Sequence, residues 1–491
     1  MRLCSGLFVV ASLTFPLHAQ QTFTGKIDVS VVNVDVTVTS HGKPVHGLAR
    51  DDFEVLEDGV LQQLTNFYAL EPGTPARALG GVEGSAPPDA ERFRRHVLLL
   101  IDNTHLSRFN RDRALASLES FINDRFKGGD YDWSIASVGY GGPRLLLQQT
   151  SDKTAIHTAL NAIRRAAARG FEVKDLRGNI VAITPTDQPA PAGGVLDEID
   201  IREGLYDALP VQRAIVDGVR AFAGTPGKKV LLLITGSVGL YTTGRPDVDR
   251  AMAVLRDTIT REVNAANVNL YILDPNGPES SGYMYWLARE TGGRFMPSSF
   301  PETSMQQFDI ASSNFYSLGY HSPHPDDQRY HRIVVRVKNC RSCSIDYRDG
   351  YATLPRELEI ARALRTPLSA SLQGASLPLA ATTGSIVSDR DGAVVPIEVR
   401  VPLKELQFVP GDKGDWKAFV DIYVSVFDED GRNLTLKRFT TTATAPKADN
   451  DGDLIHNATV AFGIGKPHTI VVAVRDQTNE ALGVWQQTVG F

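Results

Sequence analysis

A serine in a tight turn, a cysteine pair and several carboxylate clusters are the features of this 491-residue chain that could carry chemistry. Ser237 lies in Thr235-Gly236-Ser237-Val238-Gly239. Many hydrolases present a nucleophilic serine on a sharp strand-to-helix turn. That turn needs glycine two residues before the serine and a helix directly after it. Thr235 stands at the first place, and Gly239 to Gly244 is too rich in glycine and threonine to open a helix. A serine hydrolase is therefore the least favoured function, no enzymatic activity is expected, and Ser237 reads as a loop residue near the top of a sheet.

Cys340 and Cys343 have C-x-x-C spacing. Two thiolates are half a zinc site, and no second such pair exists, although His324 and His331 lie near in sequence. A redox pair normally opens a helix after a strand. This pair lies between two strand-like runs, so a local disulfide is expected. Asp449-Asn450-Asp451-Gly452-Asp453 opens like a calcium loop, but Val460 stands where such a loop wants glutamate. Asp389-Arg390-Asp391-Gly392 reads as a turn, and Arg164, Arg165 and Arg169 as a solvated basic spot. With no glycine-rich phosphate loop, a net charge of −6 and no basic stripe, nucleotide and nucleic-acid binding lack support.

The ends of the chain bear on compartment. Met1-Arg2 precedes an apolar stretch from Leu3 to Phe15, and Leu17-His18-Ala19 offers a small residue for cleavage. This is the layout of a signal peptide spanning 1–19, too short for a membrane span. Export to the periplasm or the outside is expected, with no transmembrane segment in the mature chain.

Periodicity supplies the elements that must position these residues. Residues 20–70 read as β, with Val32, Val34, Val36 and Val38 alternating with polar neighbours and Glu57-Asp58-Gly59 as a hairpin turn. Residues 71–93 read as a linker. From Arg94 strands and helices alternate. His96 to Ile101, Lys229 to Thr235 and Asn269 to Asp274 are apolar runs suited to strands buried on both faces. Helices are expected at Arg111–Phe126, Lys153–Ala168, Leu205–Phe222, Val248–Ala266, Met284–Glu290 and Thr303–Ser313. The succession implies a Rossmann-like, doubly wound, mostly parallel sheet over 94–315 with an antiparallel edge strand and an insertion at 170–200. A hairpin-and-helix extension follows at 316–365. Alternation such as Val420, Ile422, Val424 and Val426 implies an antiparallel β-sandwich over 366–491.

Three stretches together resemble a family of bacterial exported proteins with a von Willebrand factor A-related domain. The first is Asp51-Asp52-Phe53-Glu54-Val55 through Glu57-Asp58-Gly59, followed by Gln62 and Phe67. The second is His96 to Asp102 with Asn103-Thr104-His105-Leu106-Ser107. The third is Tyr316-Ser317-Leu318-Gly319-Tyr320 with Arg348-Asp349-Gly350-Tyr351. Leu205-Tyr206-Asp207-Ala208-Leu209 and Leu287 to Gly293 add to a likeness that covers about 27–352. It implies a von Willebrand factor A-like fold and a binding role without catalysis.

The resemblance also implies a divalent cation, such as Mg²⁺, at the carboxyl end of the sheet, held by hard oxygen ligands. Asp102 matches the first ligand of the family's D-x-S-x-S loop, and Thr104 can replace the first serine. Leu106 falls at the second serine, with Ser107 adjacent. Glu203 sits near the place of the family's threonine, and Gly236 stands where an aspartate is expected. The implied site is degenerate, with Asp102, Thr104 and Glu203 as its ligands; without metal, Asp102 would cap the loop after its strand. The expected binding face for a protein or peptide partner comprises Asp102, Thr104, Ser107, Glu203 and Ser237. An envelope scaffold with contacts on the flanking β domains is the alternative.

Overall fold

The computed structural model describes residues 31–70, 77–78, 94–125, 131–139, 142–166, 172–174, 180–182, 210–222, 225, 227–236, 246–277, 282–324, 327–366, 368, 376–388, 392–411, 414–429, 431–447 and 450–490. The chain starts in β1 (Val31–Ser40), β2 (Phe53–Glu57), β3 (Val60–Gln62) and β4 (Leu64–Leu70). Then β5 (Arg95–Asp102) leads into α1 (Arg108–Arg125), β6 (Tyr131–Gly139), β7 (Gly142–Thr150), α2 (Lys153–Arg165) and a helix α3 over 210–220. Next come β8 (Lys228–Ile234), α4 (Pro246–Ala265), β9 (Val268–Asp274), α5 (Gly282–Glu290), β10 (Phe295–Pro297) and α6 (Pro301–Ser313).

These segments form a sheet of order β10-β9-β8-β5-β6-β7. The first five strands are parallel, and β7 runs antiparallel at the edge. Strand side chains alternate between two cores, as the period of two requires. Leu98, Leu100, Leu231, Leu233, Leu270 and Ile272 meet α3, α4 and α5. Val97, Leu99, Ile101, Leu232, Tyr271 and Leu273 meet α1, α2 and α6. Burial on both faces is why the strands read as continuous apolar runs. The result is a mixed α/β body around a parallel sheet.

After α6 the chain returns to β structure in β11 (Phe315–His321), β12 (Tyr330–Val337), β13 (Cys343–Asp346) and β14 (Gly350–Ala352). These strands combine with the N-terminal ones. β1 lies antiparallel between β11 and β13, with Val34 opposite Leu318 and Val38 opposite Ile345. β4 pairs with the other side of β11. In a second sheet β12 pairs with both β2 and β14. Val34, Val36, Phe67, Leu318 and Tyr320 share one core. The sequence reading divides 20–70 from 316–365; the folded chain unites strands from both, so the α/β body is an insertion within one β body. Arg348 links the two bodies, donating from Nη1 to Asn264 O at 2.8 Å and from Nη2 to Asn33 O at 2.7 Å.

Helix α7 (Arg356–Ala363) precedes β15 (Ala380–Thr383), β16 (Ala393–Pro402), β17 (Trp416–Phe427), β18 (Asn433–Ala445), β19 (Asp453–Phe462), β20 (His468–Asp476) and β21 (Leu482–Val489). One antiparallel sheet contains β15, β16 and β19, and another contains β18, β17, β20 and β21. Both contribute to one core that includes Val395, Val399, Val420, Val460 and Val472. Ile360 and Leu364 dock on the second sheet's other face, beside Tyr423 and Val471.

Phe308 of α6 is fully buried and meets Tyr271 and Phe121 edge-on at 5.2 and 5.9 Å between ring centres. Phe308→Ala should destabilise the α/β body by about 3–5 kcal/mol, read as a lower urea midpoint. A loss under about 1 kcal/mol would mean that this helix face is not close-packed.

Candidate functional site

Asp102 ends β5 at the carboxyl rim of the parallel sheet, and its side chain has no solvent exposure. The chain turns there, and its next residues fold back on the carboxylate. Thr104 donates to Oδ1 from its backbone N–H at 2.8 Å and from its hydroxyl at 2.5 Å. His105 N–H adds a longer bond to Oδ1 at 3.3 Å. Oδ2 receives the Thr235 hydroxyl at 2.6 Å and His105 Nδ1 at 2.8 Å. A carboxylate only accepts, so Nδ1 carries the hydrogen of that last bond.

Burial pushes the Asp102 carboxyl up. The hydrogen bond and electrostatic pull of His105, with the Thr104 and Thr235 hydroxyls, outweigh burial and hold it below the ordinary value of 3.8. One buried charge thus ties the loop after β5 to the end of β8.

The neighbouring positions explain the departures from the D-x-S-x-S pattern. Leu106 is fully buried in the core under α1, where a hydroxyl would lose its water. Ser107 caps α1, its Oγ accepting from Asn110 N–H at 3.2 Å. A β-carbon on residue 236 would collide with the His105 carbonyl oxygen and lie 2.8 Å from Asn276 Nδ2. Glycine is therefore required there, and an aspartate could not be seated. Asn110 Nδ2 donates to Asn276 Oδ1 at 2.6 Å, and Asp274 Oδ1 accepts from Asn276 N–H at 2.9 Å, drawing the loop after β9 into the same rim.

The residues of the expected binding face lie at different depths. Asp102 and Thr104 are 0% and 2% exposed, so they build the rim from beneath rather than present themselves to a partner. Ser107 is half-buried. Glu203 and Ser237 lie outside the described residues. Within the 170–200 insertion, Glu172–Lys174 and Ile180–Ala182 pair as an antiparallel hairpin, and the rest lies outside them too. Sequence reasoning missed His105 and Thr235 as partners of Asp102; their pairing depends on loops converging in space.

Exposed aromatic rings crown the rim. Phe109 in the first turn of α1 is 70% exposed, and Phe300, just before α6, is 69% exposed. Arg113 joins them: its guanidinium lies 5.3 Å from the centre of the Phe109 ring and donates to Ser299 O.

Other residues singled out in the sequence have structural surroundings. Cys340 and Cys343 form a disulfide. Arg164 holds Glu119 through both terminal nitrogens at 2.7 and 2.6 Å. Arg169 and Asp449 lie outside the described residues. No described helix is long and apolar enough to cross a membrane.

No protein-family model and no curated protein matches the chain. Solved structures give distant likenesses. The SpRpn10 VWA domain matches with TM-score 0.24 and 12% identity, over 44% of this chain and 96% of that one. The human COPII-coat protein Sec24c matches with TM-score 0.28 and 10% identity, over 56% and 45%. Bacteroides uniformis beta-glucuronidase 2 matches with TM-score 0.18 and 12% identity, over 23% of this chain and 13% of its own length. None of these likenesses carries an argument about function.

Asp102→Asn keeps the shape but removes the charge that all these donors face. It should destabilise the α/β body by about 3–5 kcal/mol. The Asp102 carboxyl is lower in the folded state, so its stabilisation is complete above 3.8 and is lost as pH falls through the folded value. The stability gap between wild type and Asp102→Asn should therefore narrow on acidification. A gap that is small, or that widens in acid, contradicts the assignment.

Proposed function

We propose that the chain is an exported, non-catalytic binding protein whose von Willebrand factor A-like domain captures a protein or peptide at the carboxyl rim of its parallel sheet. The observation that carries this reading is two exposed phenylalanines, Phe109 and Phe300, with Arg113 lying against the Phe109 ring and donating to the carbonyl of Ser299, the residue before Phe300. Aromatic rings and arginine are the residue types that dominate binding hot spots. A rim braced from below by a buried carboxylate is also preorganised, which lowers the ordering cost of association. The signal-peptide-like leader and the Cys340–Cys343 disulfide support an oxidising compartment. A net charge of −6 argues for a protein partner over nucleic acid.

A divalent cation held by Asp102, Thr104 and Glu203 has less support. The hydrogen bonds already made to both Asp102 oxygens would have to open, with His105 giving way to the ion. The envelope-scaffold reading draws support from the C-terminal β-sandwich, which exposes Val387, Val394 and Ile455.

Selection of a displayed random-peptide library on the full chain separates these readings. Peptides enriched on the wild type should lose at least tenfold in affinity for Phe109→Ser/Phe300→Ser, with the melting temperature unchanged, because both rings are exposed. Enriched peptides that bind the double variant equally would move the contact away from this rim.

A further inference from the structure

The β body holds a second constellation, far in sequence from Asp102. Among the described residues, Glu57, His324 and His331 are the one group of three metal-capable side chains whose ligand atoms all lie within 4.8 Å of one another. They come from three separate segments. Glu57 ends β2, His331 lies in β12 beside it, and His324 follows β11.

The set has the marks of a donor shell. Glu57 is 1% exposed and His331 4%. Glu57 sits among the Tyr320, Tyr351 and Ser322 hydroxyls, yet its Oε2 makes no hydrogen bond of good geometry, so the buried carboxylate keeps lone pairs that a cation could take. Glu57 Oε1 lies 4.0 Å from His331 Nδ1, and Asp58 Oδ2 lies 2.7 Å from the same nitrogen. The other nitrogen, Nε2, meets Asp327 at 3.0 Å. A carboxylate on the far nitrogen of a ligating histidine is the usual way of fixing its tautomer and orientation. Ser322 Oγ, 3.4 Å from Glu57 Oε1, and the Tyr351 hydroxyl close the cluster.

We propose that Glu57, His331 and His324, with Asp58 beside them, form a binding site for a divalent transition-metal ion of the zinc type. Imidazole nitrogens with one or two carboxylates suit zinc and exclude magnesium and calcium, which take oxygen alone. His331 binds through Nδ1 while Asp327 holds Nε2–H. His324, exposed and stacked on His331 with ring centres 4.6 Å apart, offers the third donor. The site is independent of the rim proposed for partner binding.

The test is titration of the chelator-treated full chain with Zn²⁺ against a chromophoric competitor, and with Co²⁺ followed by its visible absorption. The wild type should take up one equivalent and give the intense bands of four-coordinate cobalt. His324→Ala, at an exposed position, should keep the melting temperature yet lose at least tenfold in Zn²⁺ affinity, and Glu57→Gln should do the same. Uptake below one equivalent, or affinities unchanged in both variants, would overturn the site. A proton-bridged histidine cluster would then be the whole of its role.

Discussion

A charged carboxylate with no access to water organises the carboxyl rim of the central sheet. Asp102 could not remain ionised there unless its surroundings replaced what water would supply. Its neighbours do so from two loops, with two backbone amides, two hydroxyls and an imidazole. Much follows from meeting that demand. The chain must turn back after β5, Thr235 must lie within hydrogen-bonding reach, and residue 236 must be glycine for the loops to approach. Phe109, in the first turn of α1, follows directly on the loop that this network anchors.

The β body imposes a complementary constraint. Because β1 sits between β11 and β13, its pairing cannot be completed until the strands after the α/β body are present. Contacts this distant in sequence cost loop entropy before they are rewarded. Lys228 helps to hold the junction, with Nζ 3.6 Å from the centre of the Phe315 ring and 3.8 Å from Asp35. Arg348 does the same from the other side.

What was legible in the sequence follows from the range of each interaction. The runs through Val97–Ile101, Val230–Ile234 and Leu270–Leu273 announce strands buried on both faces, because every residue must be apolar when helices cover both sides. Asp102 was legible as the polar residue that ends such a run. Its partners were not, since His105 and Thr235 reach it only through loop geometry. The union of the two β segments was equally hidden: alternating valines show that β1 has one buried face but not which strands flank it. The Glu57–His331 cluster shows the same limit. Its hairpin turn and its histidines could each be read locally, but β2 and β12 had to be paired before they met.

The exchange rates of the Thr104 and His105 backbone amides with solvent deuterium test the lock at Asp102 most directly. Both amides donate to Oδ1, and they should exchange only with global opening of the α/β body in the wild type. In Asp102→Asn they should exchange at least tenfold faster, while amides of the C-terminal β20 keep their wild-type rates. Fast exchange of Thr104 and His105 in the wild type, or equal rates in the two proteins, would contradict the claim that this carboxylate holds the rim together.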